Sequence, residues 1–196
     1  MIEYIKWVEA MFSGISPYTH EQAIAAVRSF MDKHGRFDYL SPEPLSFLGQ
    51  GDVIGQLPFY YVNAKNERRK LDSYGMLLSN TCDAENDEFI LFSPLLPLSS
   101  YADYKQGTIN IATVKANCYT SLLYIPDFPL DDYVVDLSIA NAFSREMITR
   151  LLGIGTIRKR SSLSLKGFYF FLSKLTVHLM RPEAAAASDQ RGSLAS

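Results

Sequence analysis

Apolar positions recur at helical spacing near both ends of the chain, and in short runs between them. Ile2, Ile5, Val8 and Phe12, with Trp7 and Met11 beside them, predict a short amphipathic helix over 2–13. A second helix is expected from Thr19, where Gln22 three positions on completes a capping-box pattern. Ile24, Val27, Phe30 and Met31 form its apolar side, and Lys33-His34-Gly35 is its stop. From Phe37 to Gly51 the pattern breaks into a Pro- and Ser-rich connector that packs through Leu45, Phe47 and Leu48.

After the connector the period shortens. Residues 52–62 have strand composition, with Gly55 and Pro58 as bulge or edge markers. Residues 63–74 are polar and basic and read as a loop, 75–79 as a short strand, and 81–88 as an acidic turn. Phe89–Phe92 is a strand that the Pro94–Pro97 segment ends, and 108–114, 119–125 and 132–136 give further strands. No helical pattern separates these strands, so a parallel sheet with crossovers is excluded. The expected core positions are Val53, Met76, Leu78, Ile90, Phe92, Leu123 and Val135.

The helical period returns at Ser144, which caps a helix carrying Met147, Ile148, Leu151 and Leu152 and ending at Gly153 and Gly155. A last helix is expected from about Ser162 to Arg181, stopped by Pro182. Its apolar face is Leu165, Phe168, Phe171, Leu172, Leu175 and Leu179, and a face so wide is buried on more than one side. The pattern therefore predicts four stretches: a helical hairpin over 1–36, a β-barrel-like core over 37–143, packed helices over 144–182, and a small, polar tail over 183–196 that should be disordered. The fold class is α+β.

Charge adds one feature. The formal net charge is -2, yet residues 145–181 hold eight Lys or Arg and one acid, Glu146. That asymmetry suggests an anionic partner for the C-terminal third, or its docking on the acidic part of the chain. Two cysteines and three histidines with no ligand spacing give neither a disulfide framework nor a metal site, and no cofactor motif is present. The longest apolar run, 165–180, is broken by Lys166, Lys174 and His178 and is shorter than the ~20 residues of a spanning helix. With no signal-peptide pattern at 1–11, a reduced, cytoplasmic protein is expected.

The order of phrases in the centre carries a resemblance. Gly51-Asp52-Val53 opens a strand, followed by the apolar strand at 75–79, then Phe89–Leu95, and later Val134-Val135-Asp136-Leu137 ahead of Ser144-Arg145-Glu146. Over roughly 50–152 this resembles the MazF/PemK family of toxin endoribonucleases, which implies a small SH3-like antiparallel barrel. The resemblance also implies an arginine just before the second strand and a Ser or Thr ending the third. Here Tyr74-Gly75 precedes that strand, Arg68 and Arg69 lie upstream, and Ser99 follows the third, so neither the cation nor the group for the 2′-OH proton stands in register. The phrase Ser79-Asn80-Thr81-Cys82-Asp83 is similar to one in uncharacterised prokaryotic proteins of mobile and defence loci.

Three functions follow. The leading one is a non-catalytic accessory or interaction protein of a prokaryotic or phage mobile or defence-type system, bound to a protein partner or to itself. The second is a divergent MazF/PemK-like endoribonuclease acting on RNA through Arg68, Arg69 and Ser99. The third is a thiol enzyme using Cys82 and Asp83, against which stand the acids 83–88 that raise a thiol's pKa. Cys82 is therefore expected to be buried and quiet, with Asp83 capping the turn, and Cys118 to be core. Arg158, Lys159 and Arg160 are the candidate site for an anion or an acidic partner.

Overall fold

The computed structural model describes residues 6, 8, 9, 17–32, 38–104, 109–126, 128, 131–180 and 190. The expected first helix thus lies outside the described residues except at Lys6, Val8 and Glu9, and so does the tail beyond Met180 except at Gln190. Helix α1 spans Pro17–Asp32. It begins two residues before the expected Thr19 cap, with a proline at the position where the missing N–H costs no bond.

Seven strands build one antiparallel sheet: β1 (Val53–Val62), β2 (Arg68–Leu77), β3 (Phe89–Pro97), β4 (Leu122–Ile125), β5 (Tyr133–Asp136), β6 (Asn141–Ser144) and β7 (Lys159–Ser161). The ladder runs β4-β5-β3-β2-β1-β7, and β6 pairs with the first half of the β3 edge whose second half takes β5. Pro94 sits between those two pairings, where β3 needs no N–H toward that side. The fold is α+β as expected, and its ladder is open.

Further helices among the described residues are α2 (Thr81–Asn86), α3 (Leu98–Tyr104), α4 (Ile111–Lys115), α5 (Arg145–Gly153) and α6 (Leu165–Met180). Two expectations are corrected here. Residues 68–74 are not a loop but the first half of β2, paired with β1 from Leu57↔Ser73 to Val62↔Arg68. Their polarity reflects a two-stranded hairpin arm whose residues 68–70 face water. Residues 111–115 are not a strand but the short helix α4, because the Asn110 side chain accepts the Thr113 N–H at 3.0 Å and starts a turn.

Strand alternation sends side chains to both sheet faces. Val53, Met76, Leu78, Leu95, Leu123 and Val135 face α1 and α6, where Phe30 stacks on Phe170 at 4.6 Å. Ile54, Leu57, Phe59, Leu77, Ile90, Phe92 and Phe143 face the other way, under Ala84 of α2 and Ile148 of α5. Further along that second face, Leu96, Leu122, Tyr124 and Val134 pack on Tyr101 of α3 and Val114 of α4. All seven expected core positions are buried, divided between the two faces.

The face of α6 differs from the sequence reading. Leu165 and Leu179 are exposed, while Gly167, Phe170, Phe171, Lys174 and Val177 are buried. The helix is turned so that Gly167 meets the Tyr39 carbonyl, where a Cβ would stand 2.1 Å from that oxygen.

Candidate functional site

The sequence candidates are carried by different elements. Arg68 and Arg69 lie beside the β1–β2 turn, where Arg69 pairs with Glu67. Asn63 and then Arg69 bond the Glu67 carboxylate and hold it below its ordinary pKa. Ser99 is exposed on α3, beyond the end of β3. Cys82 is exposed on α2, contrary to the expectation of burial, because Ala84 takes the inward position of that short helix. The cap is Asn80, whose Oδ1 accepts the Asp83 N–H at 2.9 Å, so Asp83 supplies an amide and not the capping side chain. Cys118, expected in the core, is also exposed.

The basic triplet is split by β7. Arg158 and Arg160 point outward, with the Arg160 guanidinium 5.8 Å from the Tyr74 ring centre. Lys159 points inward. Its ammonium meets the buried Asp52 carboxylate at 2.5 Å and donates to the carbonyls of Leu45, at 2.7 Å, and Phe47. Asp52 also accepts the Gly49 N–H at 2.7 Å. Gly51 makes this turn with φ of +86°, which a side chain would resist. The cation that does reach the acidic segment is Arg145, whose Nε donates to the Asp87 carbonyl at 2.8 Å.

Two asparagines take the place of missing strand partners. Asn141 of β6 accepts the Tyr60 N–H at 2.6 Å and donates to the Tyr60 carbonyl at 3.1 Å. That clasp brings the outer edge of β1 back to β6 where no ladder joins them. Asn117, at φ of 51°, does the same for the outer edge of β4, meeting the Tyr124 N–H at 2.8 Å and its carbonyl at 3.2 Å. Just past β7 the connector's Ser41 N–H donates to the Ser162 carbonyl. The backbone groups of Tyr60 and Tyr124 are thereby occupied and closed to an added strand.

Beside the Asn141 clasp lies an open groove of about 400 Å³. Strand β1 lines it with Gln56, Leu57, Pro58 and Tyr60, β6 with Asn141, Ala142 and Phe143, and α5 with Met147 and Leu151. Its wall is apolar apart from two carboxamides and the Tyr60 hydroxyl, and it holds no carboxylate, imidazole, thiol or amine. Outside it, Leu91, the cross-strand partner of Ala142, and Phe89 extend the apolar surface. The sequence reading missed this groove. Its available signals were Pro58 within a strand and the i, i+4 pair Met147 and Leu151.

A second feature unassigned by sequence is Lys174. It is buried on α6 and donates to the carbonyls of Asn117, at 2.8 Å, and Tyr119. Burial pulls its pKa down to about 7, opposed by the neighbouring Cys118 thiol. Among the described residues no group of His, Cys, Asp and Glu suits a metal ion, and no helix is long and apolar enough to cross a membrane. No family model matches the chain, and no curated protein matches it.

Proposed function

We propose that the chain is a non-catalytic interaction protein whose docking surface is the groove between β1, β6 and α5. One observation carries the reading: the groove is open, apolar and free of any acid, base or thiol at its wall. Apolar lining with a few fixed polar groups suits binding, whereas acyl or phosphoryl transfer requires a proton-handling group within reach of the reacting atoms. The groove wall includes none of Arg68, Arg69 and Ser99.

The scaffold proposed for it is an SH3-like, MazF/PemK-like barrel of β1, β2, β3 and β6. The two-point Asn141 clasp on Tyr60 supports this reading, since it stands where a closing ladder would. Phe59, Phe92 and Phe143 fill the interior edge-to-face. The setting proposed is an accessory role in a prokaryotic or phage mobile or defence-type system, in the cytoplasm, on the strength of the Ser79–Asp83 phrase.

The test is selection of a displayed library of linear peptides on the folded chain. Peptides are expected that bind wild type and lose binding to Ala142→Glu, while Arg69→Ala binds them unchanged. The purified protein is expected not to cleave RNA. Cleavage that disappears in Arg69→Ala or Ser99→Ala would replace this reading with the endoribonuclease.

A further inference from the structure

We propose that the groove receives an amphipathic helix of a protein partner, laid antiparallel to α5, acidic in its first turn and basic in its last. The proposal rests on the reading of the groove as a docking surface, and it names the occupant's chemistry and direction.

The apolar surface is longer than the groove. Ile154 is exposed three residues beyond Leu151, on the same side of the α5 turn. At the other end Ala142 pairs with Leu91, and Phe89 lies two positions away on the same outward face of β3. Both are exposed. Ile154, Leu151, Met147, Ala142, Leu91 and Phe89 thus form one track alongside α5. The nine residues of α5 rise about 13.5 Å, so a partner helix of about three turns covers the track.

The charges beside this track are sorted by end. Near Phe89 stand the exposed acids Asp87, Glu88 and Glu146, against the half-buried Arg145. The Arg145 N–H donates to the Glu88 carbonyl and so joins β3 to the start of α5. Near Ile154 stand Arg150 and Arg158, both exposed. The Ile157 N–H on the Leu151 carbonyl and the Gly55 N–H on the Arg158 carbonyl hold that end together. Glu146 lies in the first turn of α5 and Arg150 in its last.

A helix is favoured by acids in its first turn and bases in its last, the order that α5 itself has. Laid antiparallel to α5, such a helix meets Arg150 and Arg158 with its acidic turn, and Asp87, Glu88 and Glu146 with its basic one. Laid parallel, it would meet like charges at both ends. An added strand is excluded at this edge, because Pro58 has no N–H and Asn141 already holds both polar groups of Tyr60. The occupant therefore enters by side chains, with anchors at i, i+3, i+4 and i+7.

The experiment selects a displayed library of peptides of about twelve residues, some three helical turns, on the full chain. Peptides lost in Ala142→Glu are expected to carry apolar residues at the anchor spacing, Asp or Glu in the first turn and Lys or Arg in the last. Circular dichroism should show helix gained on binding. The same peptides with their end charges exchanged should bind wild type at least about tenfold more weakly. Glu88→Lys combined with Arg158→Glu reverses the sign at each end without altering α5, and should prefer the exchanged peptides. Both positions are exposed, and an unchanged melting curve would show that the variant folds.

Groove-dependent peptides that bind in extended form, or whose end charges can be exchanged without loss, overturn the proposal and leave the groove reading standing. A folded double variant that keeps the original preference does the same. A library that yields no groove-dependent peptide overturns both.

Discussion

Asp52 has one carboxylate oxygen bound to Lys159 and Gly49, while its other oxygen is buried with no hydrogen-bond partner among the described residues. Replacing Lys159 by Met should therefore strand a buried charge and cost about 3–5 kcal/mol in urea denaturation. Lys159→Met combined with Asp52→Asn should recover part of that loss, which a purely packing role for the lysine stem would not allow. The sequence shows Lys159 as the middle of three cations. Its inward direction depends on β7, a three-residue strand too short to display its own period of two. Gly167 makes a similar point about space. Gly167→Ala should cost about 1–3 kcal/mol, because the Tyr39 carbonyl occupies the position of the new methyl group. Gly153→Ala, with no atom within 4 Å of its Cβ, is the matching control and should be neutral or slightly stabilising.

At the scale of elements, long segments with one wet face were legible and short or doubly solvated ones were not. Helices α1 and α5 and strand β1 follow their apolar spacing closely. The arm of β2 has no buried face for its first three residues, so nothing in its polarity marks a strand. Strand composition at 108–114 gave way at 111–115 to the Asn110 cap and to burial of Val114. The groove was hidden for a related reason. Its walls come from three elements, two of them contributing residues 81 or more positions beyond Tyr60, and no local pattern records that meeting. Asn141→Ala tests the clasp: it should lower stability by about 1–3 kcal/mol and speed hydrogen exchange at the Tyr60 amide.

The α6 anchor is tested by pH. Lys174 titrates at about 7 when folded, against 10.5 ordinarily. Between those values the unfolded chain binds the extra proton, so unfolding free energy should rise with pH, by at most roughly 1.4 kcal/mol per unit. The contribution is complete above the unfolded value and lost as pH falls through the folded one. Comparing urea midpoints of wild type and Lys174→Met across that window tests the effect, with Cys118→Ser in both backgrounds to remove the thiol coupled to the lysine. Parallel slopes would show that the lysine stays charged in the folded chain.

The whole molecule is organised by a sheet that supplies side chains to two cores at once. Val53 enters the core under α1 and α6, while Ile54 enters the opposite core beneath α5. Neighbouring residues of one strand thus belong to different clusters, and neither cluster can lose its sheet face while the other keeps it. This coupling predicts a single unfolding transition. Phe171→Ala on the α1 and α6 side and Phe92→Ala on the α5 side each empty a fully buried position and should each cost about 3–5 kcal/mol. Each should move the entire transition, whether it is followed by backbone circular dichroism or by aromatic fluorescence. Two resolved transitions, with Phe171→Ala lowering only one and Phe92→Ala only the other, would mean that the faces unfold independently and that the shared strands do not bind them into one cooperative unit.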